Sequence, residues 1–135
     1  MTAAHIPLPS ALKPCAKPDG GLSILLVDDD ALIRGTVGAL LSKLGYIPVF
    51  ASTGEEALAE LAIGLEPALV ILDMDMPGLG GAGTLPLIRK QRPELPVVIA
   101  TGRVNAQVYE LLQAYPHVAL LPKPFGLKEL KEQLC

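Results

Sequence analysis

The chain has 135 residues, of which 50% are hydrophobic and 19% are charged, and its net charge is −3 at pH 7. This length favours one domain over two, and the apolar content is enough to form a core. The acidic balance and the lack of a Lys/Arg cluster argue against direct binding of nucleic acid, and the longest apolar runs are too short for membrane insertion. Since no export signal is recognisable, we expect a cytoplasmic location.

The segment 1–21 is Pro-rich and ends in the turn signal Asp19-Gly20-Gly21. Proline lacks an amide donor and fixes φ, so this segment cannot continue a helix or a sheet ladder. We therefore predict a flexible tail or linker over residues 1–21, followed by one domain over residues 22–135.

The two cysteines, Cys15 and Cys135, lie near opposite ends of the chain and lack the spacing of a zinc site. We expect no disulfide framework and interpret both as thiols in mobile ends. The two histidines, His5 and His117, fall in the tail and in a short loop, and we assign neither a catalytic role.

From residue 22 onward, short apolar strands alternate with amphipathic helices, a pattern typical of a parallel α/β sheet. The predicted strands are Ser23–Val27, Ile47–Ala51, Ala68–Leu72, Val97–Ala100 and Val118–Leu121. The first and third are nearly continuous hydrophobic runs, as expected of strands that are covered on both faces. Pro48 cannot donate to a ladder, so we place the second strand at an edge of the sheet.

Five helices with an apolar stripe are predicted to follow the strands. We expect Asp30 to cap the first helix, Gly45 to end it, and Ser52 or Thr53 to cap the second. The third helix is predicted over about residues 81–91. The stripes of the last two helices are Val104, Val108, Leu111 and Leu112, and then Leu127, Leu130 and Leu134.

Polar residues follow the strand ends, which meet at one edge of a parallel sheet, where open α/β sheets bind ligands. These residues are Asp28, Asp29 and Asp30, then Asp73 and Asp75, then Thr101, and finally Lys123. Clustered carboxylates repel one another, and Mg²⁺ held by carboxylates, waters and a phosphate relieves this repulsion. With Lys123 and Thr101 as donors, the edge suits phosphoryl transfer, and Asp73 is a candidate covalent acceptor.

Four motifs in order resemble the receiver domain of two-component response regulators. They read LLVDDD (25–30), ILDMDMPG (71–78), ATG (100–102) and KPF (123–125). The resemblance runs from about residue 23 to residue 134. It implies a single flavodoxin-like (βα)5 domain, with a parallel five-stranded sheet of order 2-1-3-4-5 and helices on both faces.

The resemblance also implies that Asp73 accepts a phosphoryl group from the phosphohistidine of a histidine kinase or phosphotransfer protein. Lys123 would contact a phosphoryl oxygen, Thr101 would move to hydrogen-bond the phosphoryl group, and the Lys123–Pro124 bond would be cis. The new charge would switch a surface around the fourth helix, fifth strand and fifth helix, which acts on a separate output protein. Such a domain is a signalling receiver that assists its own phosphorylation and dephosphorylation, and we do not expect an enzyme.

The metal implied by the resemblance is Mg²⁺. Asp28 and Asp29 would form the acidic pair, with Asp29 the more direct ligand. The carboxylate of Asp73 and the backbone carbonyl of Asp75 would complete the protein's share of the coordination shell.

Leu120 departs from the family pattern, because three residues before Lys123 the family usually has Tyr or Phe. A coupling between threonine and an aromatic rotamer therefore cannot operate here in its usual form. One alternative is a degenerate receiver that serves only as a docking module. Another is a phosphatase similar to haloacid dehalogenases that uses Asp73 and Asp75, although in that family the acid pair normally follows the first strand.

Overall fold

The structure, a computed structural model, describes residues 5–15 and 20–135 and is built on one parallel sheet. The strands are β1 (Ser23–Val27), β2 (Ile47–Ala51), β3 (Leu69–Asp73), β4 (Val97–Thr101) and β5 (Val118–Pro122). The helices are α1 (Ala31–Lys43), α2 (Gly54–Ala62), α3 (Gly80–Gln91), α4 (Ala106–Ala114) and α5 (Leu127–Leu134). The strand order β2-β1-β3-β4-β5 confirms the predicted fold and places Pro48 in an edge strand.

Two apolar clusters lie on opposite faces of the sheet, because successive side chains of a strand point to opposite faces. Ile24 and Leu26 pack in the cluster that contains α1 and α5. Leu25 and Val27 pack in the cluster that contains α2, α3 and α4. Every residue of β3 is buried, as expected of a central parallel strand.

The strand ends differ from the prediction by one residue at the edge that matters for the site. Asp73 is the last residue of β3, and Thr101 and Pro122 likewise end β4 and β5. Val104 lies before α4, whose N-cap is Asn105. Asp73 and Thr101 are therefore fixed by strand pairing and do not lie in the loops that follow.

The helix caps follow the predicted chemistry. Asp30 caps α1, and its carboxylate accepts a hydrogen bond of 2.9 Å from the amide of Leu32. Thr53, and not Ser52, caps α2 by accepting a hydrogen bond of 3.0 Å from the amide of Glu56. Within the part of the chain that the structure describes, no helix is long and apolar enough to cross a membrane.

Residues 5–15, predicted as part of a flexible tail, pack against the domain. Ile6 forms an isolated antiparallel bridge with Leu120 in β5, and Leu8 is only 3% exposed in the cluster of α1 and α5. The prolines exclude a longer strand or an α-helix here, but they leave a short 3-10 helix at Ser10–Leu12, one bridge and one buried side chain. Residues 1–4 and 16–19 of the predicted tail lie outside the described residues, and the domain boundary at residue 22 stays a prediction.

Cys15 and Cys135 form a disulfide, so the interpretation of both as thiols in mobile ends is wrong. Their Cα atoms lie 4.5 Å apart although 120 positions separate them in the sequence. The amide of Cys15 also donates a hydrogen bond of 2.8 Å to the carbonyl of Leu134 in α5. The fold alone brings the two cysteines together, and for this reason their spacing gave no signal.

The start of α3 packs directly on the chain that leaves β3. A Cβ added to Gly81 would lie 2.7 Å from Met74 Cα and 2.8 Å from the carbonyl oxygen of Asp73. Both atoms belong to the backbone and cannot rotate away. Two positions along the same helix, a Cβ added to Gly83 would make ordinary contacts of 3.4 and 3.5 Å with Leu79.

We predict opposite effects for Gly81→Ala and Gly83→Ala. Gly81→Ala should lower the free energy of unfolding by about 1–3 kcal/mol, because it forces the backbone after Asp73 to shift. Gly83→Ala should raise it by about 0.5–1 kcal/mol, because alanine favours the helix and meets no close atom. Urea unfolding followed by far-UV circular dichroism measures both, and equal effects at the two positions would contradict the close contact at Gly81.

Candidate functional site

Three carboxylates meet at the carboxyl edge of the sheet, because β1 and β3 are neighbours in parallel register. Asp28 follows β1 and is 2% exposed, Asp73 ends β3 and is 3% exposed, and Asp29 is exposed to solvent. One carboxylate oxygen of each lies within 4.8 Å of the others. The sequence prediction that these three acids converge is therefore confirmed.

This donor set fits a hard divalent cation. Ligand oxygens lie about 2.1 Å from a bound Mg²⁺, so two of them on one ion are at most about 4 Å apart. The oxygens of the three acids lie within 4.8 Å of one another, which suits an ion held by carboxylates with waters on the remaining positions. The exposure of Asp29 gives water access to the cluster.

Lys123 reaches the acid cluster from the loop after β5. Its Nζ lies 3.0 Å from Asp73 Oδ1 and 3.4 Å from Asp28 Oδ2, and its side chain is 24% exposed. The amide of Lys123 donates a hydrogen bond of 2.8 Å to the carbonyl of Thr101, which fixes the loop beside β4. The Lys123–Pro124 peptide is cis, as the family resemblance implied.

Burial and charge shift the pKa values of this pair. Burial raises the pKa of the Asp73 carboxyl, and the amide of Asp75 and the ammonium of Lys123 offset this only in part. Burial alone would lower the pKa of the Lys123 ammonium, but its hydrogen bond and attraction to Asp73, with a contribution from Asp28, raise it above its ordinary value. Two buried carboxylates thus share one ammonium, and the site still attracts positive charge.

A guanidinium that the sequence reasoning missed supports the chain after β1. Arg34 Nη1 donates a hydrogen bond of 2.6 Å to the backbone carbonyl of Asp28. The carboxylate of Asp28 in turn accepts a hydrogen bond of 2.9 Å from the amide of Asp30. Arg34 lies one turn into α1, so the helix itself holds Asp28 in place. Only the position of Arg34 on the helix, four residues after the cap, could have indicated this contact.

The side chain of Asp75 turns towards the loop after β4. Its Oδ2 lies 3.4 Å from Thr101 Oγ1 and 3.3 Å from the amide of Gly102. Thr101 is 1% exposed, and its hydroxyl also lies 3.1 Å from the carbonyl of Arg103 while it accepts a hydrogen bond from the amide of Arg103. The hydroxyl carries one proton and can donate to only one acceptor at a time. The sequence predicted a role for the carbonyl of Asp75, not this contact of its carboxylate.

Leu120, which departs from the family pattern, is fully buried in the cluster of α2, α3 and α4. Its amide and carbonyl face away from β4 and exchange hydrogen bonds with Ile6. Gln133 of α5 donates a further hydrogen bond of 3.0 Å to the same carbonyl. A leucine side chain packed in the core therefore fills this position. It has no aromatic ring whose rotamer could change with the state of Thr101.

Comparison with known proteins gives one family. The response regulator receiver domain matches residues 24–135. A probable transcriptional regulator, ycf27 of Guillardia theta, is 41% identical over 114 residues, which cover 82% of this chain and 43% of that protein. The sensor kinase CckA of Brucella abortus is 35% identical over 113 residues, which cover 82% of this chain and 12% of that protein. The chain thus spans less than half the length of these relatives.

Among solved structures, the response regulator TrrA of Thermotoga maritima in complex with Mg²⁺–BeF is similar to this chain. The two share 33% sequence identity and superpose with a TM-score of 0.71, over 83% of this chain and 95% of TrrA. The family match covers most of the chain, and the fold and the order of the site motifs agree with it. The chain belongs to the response regulator receiver domain family.

Proposed function

We propose that the chain is the phosphoryl-accepting receiver of a two-component phosphorelay and that Asp73 is the acceptor. The observation that carries this proposal is the buried Asp73 carboxylate, which lies 3.0 Å from the Lys123 ammonium and next to two further carboxylates. Lysine and a carboxylate cluster at the end of a central strand are suited to hold a phosphoryl group and balance its charge.

In the proposed reaction, an oxygen of Asp73 attacks the phosphorus atom of a phosphohistidine supplied by a histidine kinase or phosphotransfer protein. The P–N bond breaks, the imidazole leaves and takes up a proton, and an acyl phosphate forms on Asp73. Lys123 already contacts Asp73 Oδ1, so its ammonium would meet the charge that develops on the phosphoryl oxygens. Hydrolysis of the acyl phosphate, in which water attacks phosphorus and inorganic phosphate and the free Asp73 carboxylate are released, would reset the receiver. This makes it a signalling module and not an enzyme that turns over a separate substrate.

We infer that Asp28 and Asp29 hold Mg²⁺ together with Asp73 and the backbone carbonyl of Asp75. When bound, Mg²⁺ neutralises charge on the acidic cluster and on a transferred phosphoryl group. The support is the spacing and type of the donors and the similarity to TrrA, which was crystallised with Mg²⁺–BeF. Asp29 is the exposed member of the three acids. It is therefore best placed to bind the ion directly while waters occupy other positions on the same ion.

Thr101 would carry the signal away from Asp73. Its hydroxyl lies within hydrogen-bond distance of both the Asp75 carboxylate and the carbonyl of Arg103, and donates to one of them at a time. A phosphoryl group on Asp73 offers additional charged acceptor oxygens, to which a hydroxyl bonds more strongly than to a carbonyl. Movement of Thr101 towards them would break its contacts with the loop before α4 and alter the surface of α4, β5 and α5.

The expected partners are a phosphohistidine donor and a separate downstream output protein, in the cytoplasm. Relatives that carry this domain include a transcriptional regulator and a sensor kinase, which supports a place in either kind of pathway. The docking-module alternative and the phosphatase alternative make different predictions for the acceptor, so one labelling experiment separates them.

We predict that acetyl phosphate with Mg²⁺ adds one phosphoryl group to the wild type and none to Asp73→Asn, measured by intact mass. The matched control is Asp75→Asn, which should still be labelled, because the Asp75 carboxylate contacts Thr101 and Gly102, whereas its contact with Asp73 comes from the backbone amide, which the variant keeps. Loss of the adduct on chelation of Mg²⁺ is also expected. Absence of an adduct on the wild type would favour the docking module, and turnover of a generic phosphate ester that is lost in both variants would favour the phosphatase.

We also predict that Mg²⁺ stabilises the fold. At about ten times its dissociation constant, an ion that binds only the folded state adds about 1.4 kcal/mol, which corresponds to a rise of several degrees in Tm. The response should be much smaller in Asp29→Asn but retained in Asp30→Asn, because Asp30 caps α1 outside the cluster and asparagine caps equally well. Melting curves with and without Mg²⁺ measure this, and equal shifts in the two variants would refute the metal assignment.

A further inference from the structure

The outer edge of β5 is occupied by the chain's own N-terminal segment. Lys123 donates its amide to Thr101 of β4, so alternation along the strand turns Val118, Leu120 and Pro122 away from β4. Pro122 has no amide proton and cannot donate at this edge. Leu120, at the centre of the strand, can both donate and accept a main-chain hydrogen bond there. The amide of Leu120 donates a hydrogen bond of 2.8 Å to the carbonyl of Ile6, and the amide of Ile6 donates one of 3.1 Å to the carbonyl of Leu120.

Side chains of the same segment pack beside α5. Leu8 is 3% exposed and shares its apolar cluster with Leu130 and Leu134. His5 Nδ1 lies 4.0 Å from the carboxylate of Glu132. Residues 5–15 therefore cover both the β5 edge and the adjoining side of α5.

The disulfide holds the far end of this segment. Cys15 is linked to Cys135 directly after α5, and its amide bonds to the carbonyl of Leu134. Without this bond the segment is held by one antiparallel bridge, buried Leu8, partly buried Leu12 and a few polar contacts. Ordering a chain of this length costs conformational entropy at every residue, and so few contacts oppose that cost weakly.

We propose that residues 5–15 act as an intramolecular cover of the β5 edge, and that the Cys15–Cys135 disulfide locks the cover in place. Reduction would release the segment and leave the amide of Leu120 without its partner at the edge of β5, while the carbonyl of Leu120 would keep its hydrogen bond from Gln133. The consequence for signalling rests on the proposed function, since α4, β5 and α5 form the surface that phosphorylation is proposed to change. Covering of the edge does not depend on that function.

The chemical step is thiol–disulfide exchange with a dithiol reductant. One thiolate of the dithiol attacks a sulfur of the Cys15–Cys135 bond, and the other protein sulfur leaves and takes a proton. The second thiol of the dithiol then displaces the remaining protein thiol and closes its own disulfide. The protein bond gains two electrons and two protons, and the dithiol loses them. In a cytosolic protein a disulfide is usually transient or redox-sensing, which suits such a lock.

Residue-resolved amide hydrogen exchange by NMR on the full-length chain tests this proposal. In the oxidised protein the amides of Ile6 and Leu120 should be protected, and dithiothreitol should speed their exchange by about tenfold or more. The amides of Ala119 and Leu121, which face β4, are the internal control and should change by less than about twofold. The double variant Cys15→Ser/Cys135→Ser should exchange like the reduced wild type and ignore dithiothreitol.

Three results would overturn the proposal. One is unchanged protection of Leu120 after reduction, and another is equal acceleration of Leu120 and its β4-facing neighbours, which would make the disulfide a staple of the whole domain. The third is alkylation of both cysteines by iodoacetamide in air-oxidised protein, which would mean that the bond does not form. None of these measurements involves phosphate, so their outcome does not depend on whether Asp73 accepts a phosphoryl group.

Discussion

The ion pairs of Lys123 with Asp73 and Asp28 are the interactions on which the site depends. Both carboxylates are almost completely buried, and an unpaired buried charge is strongly destabilising. β4 lies between β3 and β5, so Lys123 must reach across the end of β4, and its amide bond to Thr101 fixes where that reach begins. One ammonium cannot balance two buried acids and the exposed Asp29 beside them. The remaining negative charge favours a divalent cation, and the charge of a bound cation would in turn favour a transferred phosphoryl group.

This charge balance is linked to the neighbouring loops by hydrogen bonds. Asp73 Oδ1 accepts a hydrogen bond of 3.0 Å from the amide of Asp75, whose own carboxylate contacts Thr101 and Gly102. A change of charge on Asp73 would therefore reach the chain that leaves β3 through the amide of Asp75, and the loop before α4 through the carboxylate of Asp75. Gly81 packs against the same stretch from the other side, where a Cβ would collide with backbone atoms. This close packing would limit how far the chain after Asp73 can shift when the charge on Asp73 changes.

The sequence was sufficient for the strands and for the placement of Asp28, Asp73 and Lys123 at one edge of the sheet, because both follow from patterns that are local in the chain. The strand order came from the family resemblance. Apolar runs identified the strands, Pro48 identified an edge, and parallel order brought Asp28, Asp73 and Lys123 together. The orientation of the Asp75 carboxylate was not predictable, because it depends on where the loop after β4 places its amides. The bridge of Ile6 and the disulfide were missed for a similar reason. Prolines indicate the absence of regular structure but not the absence of contacts, and the pairing of Cys15 with Cys135 exists only in the folded chain.

Leu120 links the core around α2, α3 and α4 to the N-terminal segment 5–15. Its side chain packs in the cluster of α2, α3 and α4, while its carbonyl accepts hydrogen bonds from both Ile6 and Gln133. An aromatic residue here could report the state of Thr101 by changing its rotamer, whereas a buried leucine can respond only by moving with its strand. Any such movement of β5 would be resisted by the bridge to Ile6 while the cover is locked. If phosphorylation of Asp73 favours displacement of β5, release of the cover must favour phosphorylation by the same free energy, because coupling between two sites is reciprocal.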